Sequence, residues 1–218
     1  MDFADATLDE LRAALAPAVA ANAAFDGWNG DALDMAADSL GVDRDVARLA
    51  FSDGAVAMID AWFASIDAAM LERLTPERLA AMKIRERITA LVETRLELLA
   101  PNRESLRRAL AILAMPQNIA RATRLGWRSA DTMWRAAGDT ATDYNHYTKR
   151  GMLGGVYAAT VTVFLDDDSE GWADTRGFLA RRIENIMQFE KAKAQWLKPA
   201  DHHFSLSRFI GRLRYPAV

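Results

Sequence analysis

Residues 32–51 read ALDMAADSLGVDRDVARLAF. Two short helical patterns meet at Gly41, the residue type that turns a chain most easily, and Val42 follows as an apolar anchor. Ala36 and Ala37 are small enough for close packing, so the stretch predicts a helix-turn-helix. Upstream, Thr7-x-x-Glu10 is a capping-box pattern, with Leu8, Leu11, Leu15 and Val19 behind it at helical spacing. That helix is expected to end near Ala24, before a turn marked by Gly27 and Gly30.

Downstream the chain reads as longer helices. One runs from about Asp53 to Leu74, with Val56, Ile59, Phe63, Ile66 and Met70 on one face. Thr75-Pro76 starts another, whose face continues through Ile84, Ile88, Leu91, Val92 and Leu99 to Pro101. Ser105–Met115 and Gln117–Ala136 follow, the second ended by Gly138. Thr140-x-x-Asp143 opens a long helix to Leu165, closed by Asp166, Asp167 and Asp168. Trp172, Leu179, Ile183 and Ile186 stripe the last long helix, up to Pro199.

Half of the 218 residues are apolar and a quarter charged, which is globular composition, and strand-like runs are scarce. The fold class predicted is all-α. Three short helices carrying a helix-turn-helix, followed by a larger bundle, are the architecture of TetR-type regulators. The expected division is a small helix-turn-helix domain at 1–52, a larger ligand-binding bundle at 53–200 and an amphipathic helix at 201–218.

Charge bears on the regulator reading. The net charge is −3, yet residues 1–72 carry −11 and residues 73–218 carry +8. DNA affinity rests on lysines and arginines meeting phosphates. The second helix of the motif, Asp43 to Phe51, has two arginines cancelled by two aspartates. A disarmed helix-turn-helix that binds no nucleic acid is expected, with a ligand-responsive TetR-type regulator as the alternative.

No catalytic constellation is visible. The absence of cysteine excludes disulfides, zinc-thiolate sites and thiol catalysis. Phosphate-binding glycine loops, nucleophile elbows and dinucleotide fingerprints are missing. The histidines are His146, His202 and His203, and a single Asp143-x-x-His146 pair falls short of a di-iron bundle. The expectation is a non-enzyme without metal or cofactor, a lipid-modifying enzyme being the remaining alternative class. The N-terminus is acidic and lacks the features of a signal or transit peptide.

Fifteen residues, Gly151–Leu165, contain no charge, which predicts a helix enclosed by protein on nearly all sides. As a helix the run spans about 22 Å, short of the roughly 30 Å hydrocarbon core of a bilayer. Gly151-x-x-x-Gly155 is read as a point of tight packing rather than a ligand contact. Leu153, Val156, Tyr157, Thr160, Val161 and Phe164, facing Phe178, Leu179, Ile183 and Ile186 with Trp134 nearby, can line an apolar slot for a lipid. The same residues also suit an ordinary filled core. Before the run, Asp143, Asn145, His146, Tyr147 and Arg150 gather aromatic groups beside charges, as interfaces do. At the C-terminus, Leu206, Phe209, Ile210 and Leu213 share a face with Arg208 and Arg212 across from it. That pattern fits either an interfacial membrane helix or a helix docked on its own bundle.

The run Ala137-Gly138-Asp139-Thr140-Ala141-Thr142-Asp143-Tyr144-Asn145, then Tyr147-Thr148-Lys149-Arg150, resembles the ubiquinone-biosynthesis accessory family whose mitochondrial members are the ninth coenzyme Q proteins. The likeness continues through Tyr157, Thr160, Asp167, Thr175, Phe178-Leu179 and Arg182-Ile183, and more loosely through Gly27-Trp28 and the helix-turn-helix. The resemblance implies a TetR-like fold without gene regulation, and a larger domain that binds an isoprenoid quinone or phospholipid. It implies a partner, the di-iron demethoxyubiquinone hydroxylase, met through the surface of Asp143, Asn145, His146 and Tyr147, to which the charge of Arg150 is added as an expected contact. It further implies membrane contact by the C-terminal helix, and a homodimer is expected. The family usually has tryptophan where this chain has His146. With no transit peptide in view, the chain is expected to be bacterial and cytoplasmic, peripheral on the inner membrane.

Overall fold

A computed structural model describes residue 3, residues 5–140 and residues 144–197, with the side chains of 144–145 and 189–197 left undescribed. The chain forms two compact units, residues 1–183 and residues 184–218.

Among the described residues the first unit is helical wherever it is regular. Helix α1, Leu8–Asp26, begins with the expected capping box: Thr7 accepts from the Glu10 amide while the Glu10 carboxylate accepts from the Thr7 amide at 2.8 Å. It ends at Gly27, whose φ of +82° lies where L side chains are strained. Helix α2, Gly30–Leu40, is capped by Asn29, and α3, Arg44–Ala50, by Asp43. Between them Gly41 adopts a left-handed conformation and Val42 is buried, as read from sequence. Helix α1 packs against α2, α3 and the following helix α4, Ala55–Arg73, and one apolar core runs from Leu11 through Trp62 and Leu91 to Phe164 and Leu179. Trp28 ties the motif to the bundle: its ring lies 5.3 Å from Trp62 and its Nε1 donates to the Ser105 carbonyl at 2.9 Å.

Helices α4 (Ala55–Arg73), α7 (Arg103–Leu113) and α8 (Ile119–Ala136) fall close to expectation. The single helix expected from Thr75 to Leu99 is instead two, α5 (Pro76–Ala80) and α6 (Ile84–Leu99). No glycine or proline marks the break. It is held by side chains, with Glu86 accepting from the Lys83 amide at 2.8 Å and Arg87 Nε donating to the Met82 carbonyl at 2.9 Å.

Helix α9, Tyr144–Leu165, corrects the expectation drawn from its missing charges. Leu153, Thr160, Val161 and Phe164 are buried, but Gly151, Gly155, Ala158, Ala159 and Thr162 form an exposed face. Lack of charge does not require burial when the side chains are this small, because they present little apolar area to water. The Gly151/Gly155 pair is likewise not a packing point: a Cβ at either would meet nothing within 4 Å, whereas one at Gly154 would touch the Ala130 methyl on α8. Trp172, expected in the stripe of the last helix, stands before it in a short 3-10 turn with φ +54°, its ring edge-on to Phe164 at 5.3 Å.

Asp167 organises the start of α10, Ala173–Leu197. Its carboxylate accepts from the hydroxyl and amide of Ser169 (2.5 and 2.9 Å) and of Thr175 (2.5 and 2.8 Å). Those hydrogen bonds, Ser169's side chain first, hold its pKa far below the usual carboxylate range. Residues 184–197, the C-terminal part of α10, are the described portion of the second unit.

Candidate functional site

The motif that opens α9 folds into a buried ionic frame. Gly138 takes φ +91°, and Arg87 donates to the neighbouring Ala137 carbonyl at 2.8 Å. This turn aims Asp139 inward, where it accepts from Lys149 Nζ at 2.6 Å and from Arg150 at 3.1 Å. Arg150 also donates through Nε to Asp131 at 2.5 Å and through Nη1 to the His146 carbonyl at 3.1 Å. Lys149 lies over the Trp134 ring at 5.4 Å, and Trp134 Nε1 donates to the Lys149 carbonyl at 3.0 Å. Burial pushes the Asp139 pKa up, but the hydrogen bonds from Lys149 and Arg150 outweigh it and leave the carboxyl below its ordinary value.

Two sequence-predicted roles change in consequence. Arg150, read as part of a partner surface, is only 2% exposed and braces that surface from beneath. Trp134, read as a lipid contact, is committed to the same frame. Of the other residues assigned to the partner surface, Asp143 and the side chain of Asn145 lie outside the described residues. His146 is half-buried and Tyr147 is 64% exposed.

Sequence reasoning missed a third aromatic beside them. Trp127 of α8, 36% exposed, has its ring 6.0 Å from Tyr147 and 6.5 Å from His146, and the latter two are 5.1 Å apart edge-on. Position 127 is twenty residues from Tyr147 in sequence, so only the packing of α8 on α9 joins them.

The residues read as lining a slot fall into two groups. Leu153, Thr160, Val161, Phe164, Leu179 and Ile183 are buried, while Val156, Tyr157 and Phe178 are half-buried. Ile186, in the second unit, is half-buried. Tyr157 meets an unanticipated polar chain. Its hydroxyl accepts from Arg95 Nε at 3.1 Å; Arg95 pairs with Asp67, and Arg128 pairs with Asp60 and approaches Asp67 at 4.0 Å.

Two clefts open elsewhere. One, of about 550 Å³, is lined by Arg12 and Ala13 of α1 and by Ala57, Asp60, Ala61 and Ala64 of α4. The other, of about 370 Å³, lies between α4 and α8 and is lined by Val56, Asp60, Arg121, Arg124, Leu125 and Arg128. On the helix-turn-helix, Arg44 grips Asp38 in a bidentate pair (2.5 and 2.8 Å) and Arg48 grips Asp34 (2.5 and 3.1 Å). Among the described residues no group of three or more His, Asp or Glu is placed to hold a metal ion. No single helix among them is long and apolar enough to cross a membrane. The positions read as membrane-binding, Leu206, Arg208, Phe209, Ile210, Arg212 and Leu213, and the histidines His202 and His203, lie outside the described residues.

A COQ9 family model matches residues 119–190, from α8 into α10. The chain is 35% identical over 169 residues to the ubiquinone biosynthesis protein COQ9, mitochondrial, of Rattus norvegicus, covering 74% of this chain and 54% of the relative. The Homo sapiens protein is 33% identical over 169 residues, with 74% and 52% covered. The chain thus spans about half the length of the curated relatives it matches. Among solved structures, a TetR transcriptional regulator from Nitrosomonas europaea superposes with a TM-score of 0.65 at 26% identity, covering 81% of this chain and 98% of that one. These relatives correct one expectation. The curated COQ9 relatives are mitochondrial proteins of eukaryotes, not bacterial proteins of the inner membrane.

Proposed function

The chain belongs to the COQ9 family, and from that membership we propose that it is a non-enzymatic, lipid-binding accessory protein of ubiquinone biosynthesis. It accommodates an isoprenoid quinone precursor or phospholipid and serves the di-iron demethoxyubiquinone hydroxylase. The observation that carries this reading is Tyr147, exposed beside His146 at the head of α9 and fixed there by the Arg150 frame. A large aromatic held rigid at the surface, beside charge, is the kind of residue that dominates binding energy. Behind it, Leu153, Val161 and Phe164 of α9, in the same buried core as Leu179, supply the lipid side of the reading.

Replacing Tyr147 by Ala should weaken hydroxylase binding by about 1–3 kcal/mol while thermal unfolding stays unchanged. Wild-type affinity in both Tyr147→Ala and Asn145→Ala would remove this surface from the interface.

The similarity to a solved TetR regulator favours a second reading, a ligand-responsive DNA-binding protein. The arginine pairs speak against it. Arg44 and Arg48 are already neutralised by Asp38 and Asp34, within a region of net −11. The expected gel shift shows no preferred DNA site at nanomolar protein. A salt-dependent shift on one sequence would revive the regulator. Membrane contact is assigned to residues 202–218 by sequence pattern. Removing them should sharply reduce flotation with anionic vesicles, each basic residue contributing on the order of 1 kcal/mol. Undiminished flotation of the shortened chain would assign the segment a structural role instead.

A further inference from the structure

We propose that Trp127 is the anchor of the docking surface and that this surface fits a protein partner with an acidic rim. The inference rests on the partner reading above and deepens it. Three rings from two helices meet there: Trp127 on α8 and His146 and Tyr147 on α9. Trp127 and Tyr147 both reach solvent, whereas buried aromatics such as Trp62 and Phe164 lie wholly inside the core. An exposed indole packed beside another exposed ring, the two planes tilted by 34°, keeps water on apolar area that the fold could have covered. Ile119, also exposed, stands two turns before Trp127 on the same helix face, about 12 Å away by helical rise. Ile119 thus adds a further exposed apolar group on α8, separated from Trp127 by Thr123 and Gly126.

Its flank decides the partner's chemistry. Arg124 is i−3 to Trp127, exposed, and makes no ion pair among the described residues. Arg121 and Arg128 line the adjoining cleft with it, against the carboxylates of Asp53 and Asp60 on the same walls. Surplus positive charge beside an aromatic centre is complementary to carboxylates around an apolar pocket. Size also fits an anchor. Two aromatic side chains cover a few hundred Å² at most, well under the roughly 800 Å² that each partner of a stable complex buries. They form the centre of an interface, and the centre is where a few residues carry the affinity.

The test measures binding of the full chain to purified hydroxylase, with vesicles of anionic phospholipid as a separate arm. Trp127→Ala should weaken hydroxylase binding about 30-fold or more, and Trp127→Phe much less. Arg124→Glu should slow association, an effect that shrinks as salt rises. Thermal unfolding of each variant should match the wild type. Trp127→Ala binding within twofold of wild type, while Tyr147→Ala weakens, overturns the anchor and spares the partner reading. Loss of vesicle binding with hydroxylase binding intact overturns it in favour of a membrane contact. A wild-type chain that does not bind the hydroxylase overturns both.

Discussion

Asp67→Ala should destabilise the protein by about 3–5 kcal/mol, the cost of stranding a buried charge. The stranded group is Arg95, 1% exposed, whose anionic partner is Asp67 and whose other polar contact is the Tyr157 hydroxyl. For a chain of this size that corresponds to a fall in Tm of roughly 6–20 °C. The pair also fixes Tyr157, so α9 should loosen where its apolar face is densest. Replacing both partners by apolar residues of similar volume, Asp67→Leu with Arg95→Met, should restore most of the stability, because the unpaired charge is then gone. Urea denaturation of the two single variants and the double variant reads this directly. A single-variant loss below about 1 kcal/mol would mean that Arg95 finds water or another anion.

Asp139→Ala should cost about 3 kcal/mol, at the low end of the same range, because Arg150 keeps Asp131 and Lys149 can turn to water. This variant should also lose partner binding, since the frame it breaks holds His146 by its carbonyl. Its pH signature is distinct. The folded-state pKa of Asp139 is lowered, so its contribution is complete above the unfolded-state value of about 3.9 and disappears as pH falls through the lower folded value. Stability of the wild type should therefore drop below about pH 4 more steeply than that of Asp139→Asn. Parallel acid limbs for the two proteins would contradict the assignment.

Local chemistry made the helix-turn-helix readable, because Thr7, Glu10, Gly41 and Val42 each act within a few residues of themselves. The break between α5 and α6 was hidden, since Glu86 and Arg87 hold it through hydrogen bonds and no breaker residue marks it. The charge-free run located α9 but misjudged its surroundings, because glycine and alanine are tolerated at a surface. At the candidate site the sequence brought out His146 and Tyr147, whose spacing is local. It could not bring out Trp127, which reaches them only through the packing of α8 on α9. Arg150 shows the opposite limit: in sequence its charge resembles a surface contact, and in the fold Asp131 and Asp139 enclose it. Those two acids stand nineteen and eleven residues before it, too far apart for any helical spacing to pair them with one guanidinium.

The claim that this chain accommodates a lipid is tested most directly by native mass spectrometry of the full-length protein purified without detergent. The expected spectrum shows a bound isoprenoid quinone precursor or phospholipid, with occupancy reduced when Val161, buried on α9, is replaced by the bulkier Trp. A wild-type protein that carries no lipid, and takes none up from vesicles containing quinone and phospholipid, would contradict the account.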